Sequence, residues 1–376
     1  MVPGAPAVVD DALRELAAVD GPLDLDRALA PMSTGGRGQL IEAVRRHRLD
    51  AAFADALQRA GHEVPVDIAA DVDDDRLLRL QVTAALGRVA EVLDRADVPW
   101  LTFKGPVIAA LMARPELRTY NDLDVLVGAT DLGSAVEALI AAGVDELNEN
   151  WVPYVRHRVG EVPMTAGSVS IDLHWHVIGL GHHRRSIRFD PTAMLARRRP
   201  VELAGASRPT FDASDELLHL VVHAALSGAT RLDQLRDIAV VVANDDIDWG
   251  EFAQRAGGVG VAKLAGHTLD RAARVLGAPV SDPVLRRMAG SSLDRRRRFD
   301  GDAVGALRGI GVWWRRDRAT ASAGAALRRI ADVVTRIPGR RGGWDFTDEN
   351  SRLYHARATG GSTARDDYFR RVADWV

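Results

Sequence analysis

The stretch VPWLTFKGPVIAALMARPELRTYNDLDVLV, residues 98–127, decides the fold that we predict for this chain. It begins as an apolar, strand-like run, Gly105 and Pro106 then begin a segment with helical spacing, and a second strand follows. Asp122 and Asp124 stand on that second strand, where alternate side chains point to the same face. Because neighbouring carboxylates repel each other, a divalent cation between them would relieve the conflict. The alternative is a strand end whose acids are simply solvated.

The composition predicts a folded, globular protein. The chain has 376 residues, of which 47% are hydrophobic, which is enough for two or three domains with buried cores. A formal net charge of -3 gives no overall attraction to nucleic acid or to an anionic membrane. The chain has no cysteine, which excludes disulfides and thiolate metal sites. Since we find neither a secretory pattern nor an apolar run of membrane-spanning length, we expect a cytoplasmic protein.

Hydrophobic spacing predicts an α+β fold in which helical regions flank a small, mixed β-sheet core. Strands are predicted over residues 98–103, 123–127 and 169–177, and helices over residues 107–113 and 130–143. We also predict a hairpin within residues 151–164, with its turn near Gly160. The predicted regions are an N-terminal helical region (1–96), an α/β core (97–180), a helical bundle (181–280) and an arginine-rich helical C-terminal region (281–376).

Apolar residues at three- and four-residue spacing predict helices over residues 10–18, 39–58 and 76–96 in the N-terminal region. Residues 33–38 are predicted to be a break between helices. The acidic residues 71–75 are predicted to precede the last helix, where they would complement its dipole.

Helical spacing continues over residues 214–276, with Asp212 or Ser214 as the candidate N-cap of the first helix and Asp248 as that of the third. The C-terminal region that follows is dense in arginine and contains Trp313 and Trp314, a combination that can bind RNA or a phosphorylated partner. Interspersed acidic residues dilute this charge. We therefore favour the solvated basic face of an amphipathic helix over residues 319–337.

A second informative stretch, SIDLHWH, covers residues 170–176. On a strand, Asp172, His174 and His176 share one face, and the apolar residues between them share the other. This brings a third carboxylate. His219 and His223 lie one helical turn apart, a spacing that can bind zinc, although buried histidines on a helix more often have structural or substrate-lining roles.

These motifs resemble the nucleotidyltransferase superfamily that includes DNA polymerase beta. The shared features are a turn glycine after one strand, an acidic-apolar-acidic triplet on the next strand and a single acid on a later strand. More narrowly, over roughly residues 40–280, the chain resembles a large bacterial family of uncharacterised nucleotidyltransferases. The motifs that carry this resemblance are Lys104-Gly105, Arg118, Asp122-Leu123-Asp124, Ile171-Asp172-Leu173-His174-Trp175, His219-Leu220-Val221-Val222-His223, Asp237-Ile238-Ala239 and Asp248-Trp249.

The resemblance implies that Asp122, Asp124 and Asp172 hold two Mg²⁺ ions, with Mn²⁺ as an alternative. The reaction would move a nucleoside monophosphate from an NTP such as ATP to an acceptor hydroxyl or amine, with release of pyrophosphate. Asp172 could act as general base, and Gly105 would let the backbone approach the triphosphate. The acceptor could be a small molecule, a peptide or protein side chain, or an RNA end.

The chain departs from the superfamily pattern at two points. Pro106 follows the turn glycine and has no N–H to donate to a phosphate. The loop before Asp122 is longer than usual and brings Arg114 and Arg118, which together with Lys104 are candidate phosphate ligands.

Two other functions remain open on the sequence. One is a catalytically inactive relative that binds a nucleotide or a partner protein through the same fold. The other is a metallohydrolase that would use Asp172, His174 and His176 around a transition metal. Within the transferase interpretation, His174 and His176 are candidate substrate-lining residues.

Overall fold

Five strands form one sheet in the computed structural model, which describes residues 7–18, 34–148, 150–289 and 361–376. The strands are β1 (Trp100–Phe103), β2 (Asp122–Val127), β3 (Asp145–Glu146), β4 (Glu161–Ala166) and β5 (Val169–His174). Their order across the sheet is β1-β2-β5-β4-β3, with β2 and β5 parallel and the other pairs antiparallel. The predicted α+β fold with a small mixed sheet is therefore confirmed.

Helices precede, separate and follow the strands, and we number them in chain order over the described residues. Before β5 they are α1 (Ala7–Ala17), α2 (Thr34–Arg46), α3 (Asp50–Arg59), α4 (Val66–Arg95), α5 (Gly105–Ala110), α6 (Leu132–Ala141) and α7 (Trp151–His157). After β5 they are α8 (Gly181–Arg184), α9 (Pro191–Ala196), α10 (Ala213–Leu226), α11 (Leu232–Asn244), α12 (Trp249–Val259), α13 (Ala262–Leu276), α14 (Asp282–Ala289) and α15 (Gly361–Val372). Among the described residues, no helix combines the length and the apolar character that crossing a membrane requires.

The N-terminal region is helical as predicted, but several helix bounds differ from the prediction. The single helix predicted over residues 39–58 is split into α2 and α3, because Arg48 between them has a positive φ of 51°. The predicted break over residues 33–38 is wrong from Thr34 onward, since α2 begins there.

The acidic residues 71–75 lie inside α4 and not ahead of it, because α4 begins at Val66, directly after Pro65. Pro65 suits a helix start, since its fixed φ and missing N–H cost nothing there. The side chain of Arg45 on α2 lies 2.9 Å from both Asp67 and Asp71, so acids of the first turns of α4 pair with the neighbouring helix.

The hairpin predicted within residues 151–164 is wrong. Trp151 and Tyr154, one helical turn apart, are both buried by the packing of α7, which ends at the left-handed Arg158. β4 pairs instead with β5, and the chain turns between them at Gly167, whose φ is +67°. Aromatic residues occur in strands as well as in helices, so the sequence of residues 151–157 did not distinguish a strand from a helix.

The sheet separates two apolar layers. On one face, Leu123, Val125 and Leu173 are fully buried in a core shared with α4, α6 and α7. On the opposite face, Phe103 and Leu126 belong to the core of the helical bundle that follows. The strand alternation places the acidic side chains on this second face, so they lie between the sheet and the bundle.

The bundle consists of α10 to α13, as predicted. Asp212 caps α10 by accepting a hydrogen bond from the Asp215 amide, and Asp248 caps α12 through the amides of Gly250 and Glu251. A hairpin of β6 (Arg199–Leu203) and β7 (Ala206–Thr210) precedes the bundle and contacts β1. Strands in this part of the chain were not predicted, and the division into four regions stays a prediction.

The last described residues return to the core. Tyr368 on α15 is fully buried, and its hydroxyl donates to the Val159 carbonyl at 2.7 Å and accepts from Trp175 Nε1 at 2.8 Å. The helix predicted over residues 319–337 and the pair Trp313-Trp314 lie outside the described residues.

We expect Tyr368→Ala to lower the free energy of unfolding by about 3–5 kcal/mol, because it removes a fully buried ring. Tyr368→Phe keeps the ring and removes only the hydroxyl, so its cost should be about 1 kcal/mol. Chemical denaturation measures both values. An alanine variant as stable as the wild type would show that α15 does not pack against α7 in solution.

A buried carboxyl lies where the bundle meets the sheet. Glu216 on α10 is 1% exposed, and burial raises its pKa to about 8, although the Lys104 backbone N–H opposes this shift. The folded protein therefore keeps a proton that the unfolded chain loses above its ordinary pKa of 4.5.

We expect this group to reduce the stability of the wild type as the pH rises from about 4.5 to about 8. Glu216→Gln cannot ionise, so its stability relative to the wild type should increase over that interval. Because one pKa unit corresponds to about 1.4 kcal/mol, the change should be on the order of a few kcal/mol. Denaturant titrations at both ends of the interval measure it, and parallel pH profiles for the two proteins would contradict the assignment.

Candidate active site

The structure brings the three predicted carboxylates to one face of the sheet. Asp124 on β2 lies directly opposite Asp172 on the parallel strand β5, and Asp122 precedes Asp124 on the same face. Burial raises the pKa of Asp172 to about 8, and the neighbouring carboxylates of Glu161 and Asp124 add to this shift. Carboxyl groups are therefore crowded at this point.

Asp124 is the most enclosed of the three carboxylates, with 2% of its surface exposed. Its Oδ1 accepts a hydrogen bond from Lys104 Nζ at 2.7 Å and lies 2.9 Å from His174 Nε2. Burial alone would raise the pKa of Asp124, but Lys104 and His174 together hold it well below its ordinary value. Asp124 is therefore ionised.

Three of these side chains form a group with the spacing of metal ligands. Asp124, Asp172 and His174 each offer one donor atom, and these atoms all lie within 4.8 Å of one another. Asp122 does not belong to this group. Burial and the charge of Asp124 raise its pKa, whereas Lys104 and two arginines oppose the shift.

Glu161 is a fourth carboxylate that the sequence analysis missed. It is 8% exposed, stands opposite His174 in the β4–β5 register and places Oε2 3.3 Å from His174 Nδ1. Correct placement of the β4–β5 hairpin would have revealed it, because directly opposed residues share a face.

Lys104 joins β1 to α5 in a conformation that is rare for a residue with a side chain, with φ +57° and ψ -131°. Burial lowers its pKa, but Asp124 and Asp122 raise it above the ordinary value, so the ammonium stays charged. The next residue, Gly105, is buried, and an added Cβ there would lie 3.4 Å from the ring of Tyr120. The side of Gly105 that lacks a side chain therefore packs against the Tyr120 ring, and its predicted contact with the triphosphate stays a prediction.

The two arginines of the loop before β2 are held by acidic partners. Arg114 lies 2.5 Å from Asp55 on α3, and Arg118 makes a two-pronged pair with Asp237 on α11, at 2.9 and 2.6 Å. Both arginines thus attach the loop to neighbouring helices, Arg114 to α3 and Arg118 to α11. Their predicted contact with phosphate stays a prediction.

Arg48 is a cation near the site that no sequence motif marked. Its side chain is exposed, its charge acts on Asp122, and it makes no ion pair with the rest of the described chain. Arg48 has a positive φ and lies at the break between α2 and α3.

The bundle contributes two histidines. The rings of His219 and His223 on α10 stack at 5.9 Å, and the ring of Phe103 lies 5.0 Å from His219 and 5.2 Å from His174. Burial and the charge of Lys104 lower the pKa of His219 well below its ordinary value. The side chain of His223 is exposed to solvent.

His176 has a structural contact. Its Nδ1 accepts a hydrogen bond from the Ile178 amide at 3.0 Å, and burial together with the charge of Arg184 lowers its pKa to about 3. It is not part of the group formed by Asp124, Asp172 and His174. A role in lining the substrate stays a prediction for both His174 and His176.

Comparisons with known proteins give a family match and a structural likeness. Residues 36–277 match the sequence model of a family described as uncharacterised nucleotidyltransferase. Among solved structures, the chain is similar to an antigenic nucleotidyltransferase-like protein from Paracoccidioides brasiliensis, with 14% sequence identity and a TM-score of 0.37, over 58% of this chain and 96% of that chain. No functionally curated protein matches the chain. Because the family match spans more than half of its length, the chain belongs to the uncharacterised nucleotidyltransferase family.

Proposed function

We propose that this protein transfers a nucleoside monophosphate from an NTP to an acceptor hydroxyl or amine, with release of pyrophosphate. Membership of the nucleotidyltransferase family supports a role in nucleotidyl transfer. The observation that carries the proposal is the direct opposition of Asp124 and Asp172 on parallel strands, with Asp122 and Lys104 beside them. This arrangement has acids for a divalent metal and a cation for phosphate on one surface.

The residues present fit a divalent metal. Asp172 has a pKa of about 8 because it is buried beside other carboxylates, so the site lacks positive charge. We propose that Asp122, Asp124 and Asp172 hold two divalent ions. We expect these ions to be Mg²⁺, with Mn²⁺ as an alternative. A metal bound there would neutralise charge on the phosphate and activate the acceptor oxygen.

Lys104 and Arg48 are the cations that we assign to the triphosphate. The Lys104 side chain is 20% exposed and ends on Asp124, so it can exchange that carboxylate for a phosphate oxygen when Asp124 is otherwise neutralised. Arg48 has no competing ion pair among the described residues. Arg114 and Arg118 would have to release Asp55 and Asp237 first, which makes them weaker candidates.

Asp172 is the residue that we assign as general base. In the proposed step the acceptor O–H or N–H bond breaks and its proton passes to the Asp172 carboxylate, which the charge of a bound metal would keep ionised. The acceptor atom forms a bond to the α-phosphorus, and the bond to the bridging oxygen breaks, with its electron pair leaving on pyrophosphate. We propose that the acceptor approaches past His223, whose side chain is exposed and on which the charges of Lys104 and Asp124 act.

One observation favours a second function, a relative that binds a nucleotide without turnover. Lys104 is paired with Asp124, and the two loop arginines are paired with other acids. A metallohydrolase is less well supported, because His176 is engaged with the Ile178 amide and lies apart from the ligand group.

We expect Asp124→Ala and Asp172→Asn each to reduce nucleotidyl transfer by at least about 100-fold, because each removes a proposed metal ligand. The assay incubates the purified protein with each α-labelled NTP, a divalent metal and a cell extract that supplies acceptors. Pyrophosphate release is measured in parallel. Asp145→Asn, an exposed acid on β3 of the same sheet, is the matched control and should retain wild-type activity.

Nucleotide-induced thermal stabilisation of the wild type, with neither label transfer nor pyrophosphate release for any NTP, would contradict the transferase proposal. That result would support the binding function instead.

We expect Lys104→Met to raise the dissociation constant for NTP by about 10-fold or more, since a hydrogen bond to a charged group contributes about 1.5–3 kcal/mol. Arg48→Gln should also raise the dissociation constant for NTP. Calorimetric titration with a non-hydrolysable NTP and metal measures both. Lys263→Met, which removes the other, exposed lysine, is the control. Unchanged affinity in Lys104→Met would show that Lys104 serves only as a counter-ion for Asp124.

A further inference from the structure

We infer that His174 is itself a metal ligand, through Nε2, in a centre that it shares with Asp124 and Asp172 and that Glu161 orients. The inference rests on the proposed function and deepens it by naming the class of ion. A centre with one imidazole ligand and two carboxylates should bind a divalent transition metal more tightly than Mg²⁺. The resemblance from sequence implied carboxylate ligands only, so this assignment changes the character of the site.

The first argument is the distance between donor atoms. His174 Nε2 lies 2.9 Å from Asp124 Oδ1. Two ligands in adjacent positions around an ion, with bonds of about 2.1 Å at a right angle, are about 3 Å apart. Asp172 offers a third donor atom within the same 4.8 Å group. The three atoms can therefore surround one ion without a change in the backbone.

The second argument is the environment of the other ring nitrogen. Histidines that bind a metal usually donate their second N–H to a carboxylate or a carbonyl, which fixes the tautomer and the ring. His174 Nδ1 makes no hydrogen bond within the described residues, but Glu161 Oε2 lies 3.3 Å from it in an ion-pair contact, and Glu161 is 8% exposed. A buried carboxylate on the far side of the ring leaves Nε2 directed toward Asp124. The ring of Phe103, 5.2 Å from that of His174, restricts its rotation further.

The third argument is ligand chemistry. Mg²⁺ prefers oxygen ligands and keeps several waters, so an imidazole is a poor ligand for it. Transition ions accept imidazole nitrogen, and their affinity for mixed nitrogen and oxygen sites increases from Mn²⁺ to Cu²⁺ and is lower again for Zn²⁺. Replacement of an oxygen ligand by His174 should therefore shift selectivity away from Mg²⁺.

The same 2.9 Å distance also fits a hydrogen bond by which His174 only orients Asp124. Manganese separates the two roles because it is paramagnetic. The full-length protein is stripped with a chelator and titrated with Mn²⁺ in the absence of nucleotide. Continuous-wave electron paramagnetic resonance counts the bound Mn²⁺, and pulsed measurements detect the ¹⁴N coupling of a directly bonded imidazole.

We expect bound Mn²⁺ with a directly coordinated ¹⁴N in the wild type. His174→Gln should lose that coupling and bind Mn²⁺ about 10- to 100-fold more weakly. Its affinity for Mg²⁺, measured by competition, should change much less. His62→Gln removes an exposed histidine and should behave as the wild type. Glu161→Gln should keep the coupling and bind Mn²⁺ more weakly.

Bound Mn²⁺ without a directly coordinated ¹⁴N, or a ¹⁴N coupling that persists in His174→Gln, would overturn the inference. So would failure of the wild type to bind Mn²⁺. The measurement on the wild type decides the question even if His174→Gln does not fold. The Mn²⁺ titration contains no nucleotide, so a negative result there does not test nucleotidyl transfer. Conversely, a negative transfer assay does not test whether His174 binds the metal.

Discussion

The crowding of carboxylates on one face of the sheet is the constraint on which the rest of the structure depends. The parallel pairing of β2 with β5 sets Asp124 opposite Asp172, and the antiparallel strand β4 brings Glu161 opposite His174. Such a cluster is stable only if positive charge accompanies it, because burial penalises each ionised carboxyl. The ammonium of Lys104 supplies part of that charge at 2.7 Å from Asp124, and a metal would supply the rest.

The surrounding elements hold these groups in place from both sides of the sheet. Below the sheet, Trp175 follows His174 directly and is fixed by Tyr368, so the C-terminal helix supports the strand that carries two proposed ligands. Above it, the ion pair of Arg118 with Asp237 fastens the loop before β2 to the bundle. Buried, hydrogen-bonded contacts thus hold the face of the sheet that carries the carboxylates.

Much of this arrangement could be predicted from the sequence, because period-two alternation determines which side chains share a strand face. That rule placed Asp122 and Asp124 on one face of a strand, the resemblance to nucleotidyltransferases implied that Asp172 joins them, and cap residues marked the bundle. It could not supply Glu161, since aromatic residues in the segment before β4 suit a helix as well as a strand. Nor could it reveal that Arg118 has a partner 119 residues away, because long-range ion pairs leave no local pattern. No sequence motif marks Arg48, the residue of positive φ between α2 and α3.

The most direct test of the account is a crystal structure with Mn²⁺ and a non-hydrolysable NTP, in which anomalous scattering locates the manganese. The account predicts a manganese peak within about 2.5 Å of carboxylate oxygens of both Asp124 and Asp172. It also predicts that Lys104 Nζ has left Asp124 for the triphosphate. A manganese ion bound elsewhere, with the Lys104–Asp124 pair intact, would contradict it.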